Sequence, residues 1–219
     1  AEEKKAEMEA LLDLLTPIAK SYPSDMGVQS TSMAVQVLGG AGYTTDFPVE
    51  QYFRESRIHP IHEGTTGIHG LDLLGRKVWM RDGLGWKVLQ QEISSTLKEA
   101  IELEELIDLS HQFENQLKKF NHATAELLFK RNQDPEKFLA DATLFLEASG
   151  IVCIAWMWMK QAISAQRAIN KGAMDQAFYF GKIETARFYM EYELPKIIGL
   201  VHRFDSSSYP TLTMQKEWF

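Results

Sequence analysis

Apolar residues recur at steps of three and four along most of the chain, and no alternation typical of strands persists. The first segment places five apolar side chains on one helical face, at Met8, Leu11, Leu12, Leu15 and Ile18. This pattern predicts an amphipathic helix over residues 2–20 that ends near Pro23, because proline lacks the N–H that a helix interior needs. Ser24 or Asp25 is then suited to cap a second helix, which we expect to end at Leu38, before a cluster of glycines.

The helical pattern continues in shorter pieces towards the middle of the chain. Pro60 lies in a segment without helical periodicity, and Thr65 or Thr66 is placed to cap a helix that reaches about Met80. Residues 81–85 contain two glycines and two charged side chains, and the composition changes beyond them. We therefore predict a domain boundary in this segment.

The second half of the chain predicts longer helices. Residues 86–131 carry apolar side chains at helical spacing over a length that we expect to break at least once. Asp134 is then suited to cap a helix with Pro135 at its first position, and this helix runs to about residue 170. A further helical pattern covers residues 175–198.

Together these patterns predict an all-α fold, with one helical bundle over residues 1–80 and a second helical bundle over residues 81–219. Residues 142–159 are apolar enough to raise the question of a membrane span. Glu147 lies near the middle of that stretch, where a charge in lipid is costly. We therefore expect a buried bundle helix here and no membrane span.

Composition narrows the classes of function. The chain of 219 residues has a net charge of −7 and no block of Lys or Arg, which argues against nucleic acid as a partner. Cys153 is the only cysteine and lies in an apolar run, so we expect a small buried side chain and no intrachain disulfide. This fits a reducing compartment, and we expect a cytoplasmic protein. The charged start without an initiator Met suggests a fragment or a processed product.

One motif combines a carboxylate with a glycine and two hydroxyls, at His62-Glu63-Gly64-Thr65-Thr66. A carboxylate on an irregular loop, beside a residue without a side chain, is suited to removing a weakly acidic proton from a ligand that approaches the backbone. By themselves these residues favour a simpler interpretation, in which a surface-loop glutamate precedes a threonine cap.

A metal site is a second possibility for the same segment, because His59, His62, Glu63 and His69 are close in sequence. The spacing is His-x-x-His-Glu and not His-Glu-x-x-His, and Pro60 prevents a regular helix between the first two histidines. We expect no metal site.

Several motifs in register carry a family resemblance. They are Gln36-Val37-Leu38-Gly39-Gly40, Gly42-Tyr43, Pro48-Val49-Glu50-Gln51-Tyr52-Phe53-Arg54-Glu55-Ser56-Arg57 and His62-Glu63-Gly64-Thr65. In order and spacing, over about residues 28–78, they resemble the C-terminal helical domain of acyl-CoA dehydrogenases. The first bundle is therefore expected to be that domain.

The resemblance implies roles for individual residues. Glu63 matches the family's catalytic base, and Gly64 matches the position that lies against the substrate thioester. Thr65 and Thr66 match positions at the flavin. The segment that touches the FAD of a neighbouring subunit corresponds to Gln36, Val37, Leu38, Gly39 and Gly40. The resemblance thus implies a homo-oligomer with a shared cofactor site.

Two positions depart from the family pattern. His62 stands where the family usually has Tyr, which could change the polarity of the acyl pocket. Gly67 stands where many members carry Gln, which removes an expected cofactor contact.

The remainder of the chain indicates which members of the family it resembles most. Residues 68–78, 177–182 and 186–195 resemble the larger bacterial members that have an added C-terminal helical domain, a group that includes 3-(methylthio)propanoyl-CoA dehydrogenases. The resemblance implies FAD as cofactor, an acyl-CoA substrate, a trans-2-enoyl-CoA product and electron-transfer flavoprotein as electron acceptor. The family's N-terminal helical domain and central β-barrel are not in this sequence, so this chain alone is expected to be inactive. An acyl-CoA oxidase and a non-catalytic helical assembly module are the alternatives.

Overall fold

The computed structural model describes residues 2–219, and every regular element among them is a helix, which confirms the all-α prediction. The chain divides into two compact units, Ala1–Gly85 (unit 1) and Trp86–Phe219 (unit 2). The junction follows a left-handed stretch at Arg81, Asp82 and Gly83, whose φ angles are 53°, 56° and 73°.

Unit 1 is organised along one long helix. Its elements are α1 (Glu2–Leu38), α2 (Gly40–Tyr43), α3 (Val49–Ser56), α4 (Thr66–Asp72), a π-helical turn (Leu73–Lys77) and the start of α5 (Met80–Ile101). Helices α3 and α4 and the π-helical turn all pack against α1. A single helix therefore supports both segments that carry the sequence motifs.

The predicted helix end near Pro23 is wrong, because α1 continues through this residue to Leu38. Ser24 caps no new helix; its hydroxyl donates to the carbonyl of Lys20 at 2.5 Å. A proline inside a helix removes one backbone hydrogen bond. The helix also passes through Pro17, and on either side of Pro23 it is held by the bonds of Lys20 to the turn before α4 and of Thr66 of α4 to Asp25.

Unit 2 contains the remaining helices. They are the rest of α5, a 3-10 turn (Glu104–Leu106), α6 (Ile107–Lys130), α7 (Pro135–Leu139), α8 (Ala142–Asn170), α9 (Gln176–Phe188), a π-helical turn (Tyr189–Glu193), a 3-10 turn (Leu194–Lys196), α10 (Ile197–Phe204), α11 (Pro210–Thr213) and a 3-10 turn (Lys216–Trp218).

Two sequence predictions are confirmed in unit 2 and one is wrong. The long segment breaks between α5 and α6, and Asp134 caps α7 by accepting from the backbone N–H of Lys137 at 3.2 Å. The helix predicted to run on to residue 170 is interrupted, because Ala140 and Asp141 separate α7 from α8. Asp141, at this break, is buried and ion-paired with Arg203 of α10 at 3.1 Å.

The core of unit 2 is a cluster of aromatic rings around α8. The side chains of Phe120, Phe145 and Phe204 are fully buried, and the ring centroids of Phe120 and Phe145 lie 5.8 Å apart. By length and composition α8 alone among the described helices could cross a membrane, but 67% of its most apolar stretch is buried within the structure. Glu147 is on its exposed side. This matches the predicted buried bundle helix.

Candidate active-site loop

The segment between α3 and α4 is a series of turns that ends in two residues with left-handed backbone. Glu63 has φ of 55° and Gly64 has φ of 99°. A left-handed conformation costs a non-glycine residue about 1 kcal/mol, so it persists only where neighbouring contacts fix it. Two side chains bond to the backbone of this turn, and a third contact fixes the start of the helix that follows it.

Lys20 of α1 provides the first of these contacts. Its half-buried side chain donates to the carbonyl of His59 at 2.8 Å and to that of Gly64 at 2.7 Å. The two carbonyls lie at opposite ends of the segment 59–64. One ammonium group therefore joins both ends of the turn that carries Glu63.

His69 of α4 provides the second contact. Its Nε2 lies 3.1 Å from the carbonyl oxygen of Glu63, and because a carbonyl can only accept, Nε2 must carry the proton. A Cβ added to Gly64 would lie 2.8 Å from the same Nε2. Residue 64 is thus a glycine for two reasons, its positive φ and the imidazole against it.

The third contact fixes the start of α4. The Thr66 hydroxyl donates to the carboxylate of Asp25, 3.1 Å from Oδ2 and 3.2 Å from Oδ1. Thr65 occupies the cap position, but its side chain makes no capping hydrogen bond. The prediction that a threonine lies at the cap is therefore right about position, while the capping bond itself is not formed.

The Glu63 side chain is exposed in this chain. His62, beside it, is also exposed, and its Nδ1 lies 3.0 Å from the carbonyl oxygen of Ile58. Within residues 2–219 no group of three or more His, Cys, Asp and Glu side chains is arranged to hold a metal ion. Any surface that closes over the Glu63 carboxylate must come from outside this loop.

The segment predicted to touch a cofactor lies at the end of α1, apart from the loop. Gln36, Val37, Leu38, Gly39 and Gly40 are all exposed. Gly39 has φ of 57°, and a Cβ added to Gly39 or Gly40 would meet no atom within 4 Å. At about 1.5 Å per residue, Gln36 is about 16 Å along α1 from Asp25, which anchors the loop. The structure therefore brings Glu63, Gly64, Thr65 and Thr66 together but holds the 36–40 segment at a distance.

Sequence reasoning missed Lys20 and Asp25 as supports of the loop and considered His69 only as a metal ligand. Lys20 precedes His59 and Gly64, whose carbonyls it donates to, by about forty residues. A helical pattern of apolar residues does not show which distant carbonyls a lysine binds. His69 offered a weak signal, because it follows Gly64 by five residues on the predicted helix and so lies near that helix's first turn.

Comparison with protein families matches nearly the whole chain in two parts. The family described as acyl-CoA dehydrogenase, C-terminal domain, matches residues 1–78. The family described as acetyl-CoA dehydrogenase C-terminal like matches residues 89–215.

Curated proteins with similar sequences carry related names. The chain is 31% identical over 194 residues to 3-methylmercaptopropionyl-CoA dehydrogenase of Ruegeria pomeroyi, covering 87% of this chain and 32% of that protein. It is 27% identical over 209 residues to butyryl-CoA dehydrogenase of Syntrophomonas wolfei, covering 93% and 34%. It is 28% identical over 195 residues to the broad-specificity linear acyl-CoA dehydrogenase FadE5 of Mycobacterium tuberculosis, covering 84% and 31%. The chain thus spans about a third of the length of these relatives.

Proposed function

The chain belongs to the acyl-CoA dehydrogenase family, and from this premise we propose that it is the C-terminal part of an FAD-dependent enzyme that oxidises an acyl-CoA thioester to the trans-2-enoyl-CoA. The relatives are about three times as long as this chain. The proposed catalytic unit therefore includes protein beyond these residues, and the fragment alone is expected to be inactive.

Glu63 is the proposed base. In this reaction its carboxylate takes the proton from the α-carbon, while the hydrogen on the β-carbon leaves with its electron pair. The single observation that carries the assignment is the left-handed backbone at Glu63 and Gly64, which Lys20 and His69 hold in place. Consecutive positive φ angles also occur at Arg81, Asp82 and Gly83, so they do not mark a site by themselves. At Glu63 they coincide with two side-chain hydrogen bonds to the same turn and with an exposed carboxylate, and such over-determined backbone is common where a side chain must be aimed.

Gly64 is the proposed contact for the substrate thioester. It has no side chain, and its carbonyl already accepts from Lys20. The imidazole of His69 fills the space of the missing side chain, so the thioester would approach this residue from the side that His69 does not cover, next to the Glu63 carboxylate. Acyl length and branching depend on residues beyond this chain.

FAD is the proposed cofactor, and when bound it supplies the acceptor for the hydride from the β-carbon. The exposed segment 36–40 and Thr65 would hold it, and the glycines at 39 and 40 leave open space for a planar group against the backbone. The Thr66 hydroxyl already gives its proton to Asp25, so it could offer a cofactor only an acceptor. These residues fit the group.

A homo-oligomer is part of the proposal. It follows from the family resemblance, in which the segment corresponding to residues 36–40 touches the FAD of a neighbouring subunit, and the exposure of this segment in the chain supports it. Electron-transfer flavoprotein is the proposed electron acceptor. An oxidase would instead pass the electrons to O₂, so peroxide release during turnover would identify the enzyme as an oxidase.

The test of the base is Glu63→Gln in the complete enzyme with its flavin. Glutamine keeps the size and polarity of the side chain but cannot take the proton. We expect kcat to fall by at least about 1,000-fold with an unchanged flavin absorption spectrum. A turnover rate within a few-fold of the parent would remove Glu63 from the proposal and leave the assembly-module alternative.

A further inference from the structure

Two side chains fix the backbone on either side of the proposed base. Lys20 Nζ donates to the carbonyl of Gly64 at 2.7 Å, and His69 Nε2 donates to the carbonyl of Glu63 at 3.1 Å. These are consecutive carbonyls, so the orientation of both peptide planes that follow them is set by a hydrogen bond.

Lys20 also limits how far the turn can open. Its ammonium reaches the carbonyl of His59 at 2.8 Å as well as that of Gly64. Charge-assisted hydrogen bonds such as these are shorter and stronger than those between neutral groups. Lys20 lies within α1 between Pro17 and Pro23, so its hydrogen bonds tie the turn to the helix that also packs against α3 and α4.

We propose that Lys20 and His69 are positioning residues that hold the left-handed backbone at Glu63 and thereby aim its carboxylate at the α-carbon of the substrate; this rests on the proposed role of Glu63. Neither residue takes part in proton removal. Each acts through the direction of the Cα–Cβ bond of Glu63, which depends on the φ angle of that residue.

Loss of either hydrogen bond has a specific consequence. Without its partner, residue 63 is free to return to the negative φ that most residues prefer, and its side chain then points in a different direction. The proton-transfer step suffers, because small displacements of a reacting group reduce rates strongly. Gly64 and Thr65 lie on the same turn, but most of the proposed flavin and acyl-CoA contacts lie outside it, so the loss falls mainly on kcat and only slightly on flavin binding and substrate affinity.

The test uses the complete flavin-loaded enzyme with two pairs of variants. Lys20→Met removes the ammonium but keeps an unbranched side chain, while Lys20→Arg keeps donors of similar reach. His69→Leu removes the donor, while His69→Gln offers an amide N–H near the position of Nε2. Lys5→Met is the matched control, because Lys5 is an exposed lysine of α1 whose ammonium lies 3.9 Å from Glu9.

We expect Lys20→Met and His69→Leu to lower kcat by roughly 10- to 100-fold, with KM within about 3-fold and an unchanged flavin spectrum. Lys20→Arg and His69→Gln should recover most of the loss, and Lys5→Met should match the parent. Amide hydrogen exchange over residues 59–66 should be faster in Lys20→Met, which reports the release of the turn independently of activity.

The outcomes separate this inference from the proposed function. If Glu63→Gln abolishes turnover while Lys20→Met and His69→Leu leave kcat within about 2-fold of the parent, the base stands and the positioning role is overturned. If Glu63→Gln retains its rate, the base assignment fails, whatever the lysine variants do. Adding Lys20→Met to Glu63→Gln should cause no further loss, and a further drop of about 10-fold would show that Lys20 acts on something other than Glu63.

Discussion

The imidazole of His69 lies against Gly64, with its Nε2 2.8 Å from the point that a Cβ on residue 64 would occupy. The same nitrogen is 3.1 Å from the carbonyl oxygen of Glu63. One side chain therefore both requires a glycine at residue 64 and fixes the residue before it. Any side chain at residue 64 must displace the imidazole and so release Glu63.

Gly64→Ala is accordingly expected to be destabilising. Alanine at φ of 99° is strained, and displacing His69 loses its hydrogen bond to Glu63. Together these effects should lower the free energy of unfolding by about 2 kcal/mol, measured by urea denaturation of the chain. Gly67→Ala is the control, because its Cβ would approach nothing closer than the Thr65 hydroxyl oxygen at 4.0 Å. Equal losses in the two variants would contradict the close approach of His69.

Replacing glycine with alanine should change the free energy of unfolding in opposite directions at two other positions in unit 1, Gly85 and Gly27. A Cβ on Gly85 would lie 2.5 Å from the carbonyl oxygen of Ala10, which is backbone and cannot turn aside. Gly85→Ala should therefore lower the free energy of unfolding by about 2 kcal/mol. Gly27 lies within α1 with open space around it, so Gly27→Ala should raise it by about 0.5–1 kcal/mol. Thermal unfolding of both variants measures these two effects. If Gly85→Ala were stabilising, Gly85 would not lie as close to the Ala10 carbonyl as the structure places it.

The fold class was predictable because it depends on local periodicity. The three- and four-residue spacing of apolar side chains indicated the long helical segments but not the short α2 and α11, and Asp134 with Pro135 identified the start of α7. The helix end predicted at Pro23 was wrong because the spacing of apolar residues carries no information about tertiary contacts. Whether a helix continues through a proline depends on tertiary interactions, here those of Lys20 and Asp25.

The candidate site was predictable only in part. Order and spacing of motifs located Glu63 and Gly64, because a loop motif is contiguous in sequence. The left-handed backbone at Glu63 has no sequence signal, since glutamate does not favour positive φ. The hydrogen bond from Lys20 joins residues 44 positions apart, and only the folded chain brings them together.

Acid should weaken one ion-paired contact in unit 1. Asp13 accepts from Lys77 at 2.9 Å and from Arg81 at 3.2 Å. The Lys77 hydrogen bond, aided by the charges of Lys77 and Arg81, holds the pKa of Asp13 below its ordinary value of 3.8. Because the pKa is lower in the folded chain, the stabilisation is present above pH 3.8 and is lost as pH falls through the folded-state pKa.

Asp13→Asn should therefore lower the free energy of unfolding by about 1 kcal/mol or less at neutral pH. The difference from the parent should shrink as the pH falls below 3.8, where the parent also loses the charge. Urea denaturation at a series of pH values measures it. Asp72→Asn is the control for loss of one charge, since Asp72 pairs only locally with Arg76 on the helix surface. If the difference in stability between Asp13→Asn and the parent grew in acid, the pKa of Asp13 would not be lowered in the folded chain.

An ion pair between the buried Asp141 and the partly exposed Arg203 should hold the C-terminal segment of unit 2. Arg203 donates through Nε to the buried carboxylate of Asp141, through Nη1 to the carbonyl of Ser208 at 2.6 Å, and its guanidinium lies 4.9 Å from the ring centroid of Tyr209. Asp141→Asn should lower the free energy of unfolding by about 2 kcal/mol and increase proteolysis near Ser208. Glu184→Gln, which breaks an exposed pair, should change neither.

The single cysteine provides a direct test of the core of unit 2. Burial raises the pKa of the Cys153 thiol to about 12, so the nucleophilic thiolate is both scarce and inaccessible in the native chain. A thiol reagent should leave the folded protein unmodified at mildly alkaline pH and react fully in denaturant, as followed by intact mass. The rate of labelling should rise with urea in parallel with unfolding, because the thiol becomes reachable only when α8 leaves the core. Rapid stoichiometric labelling of the native chain would mean that α8 does not occupy the centre of the bundle.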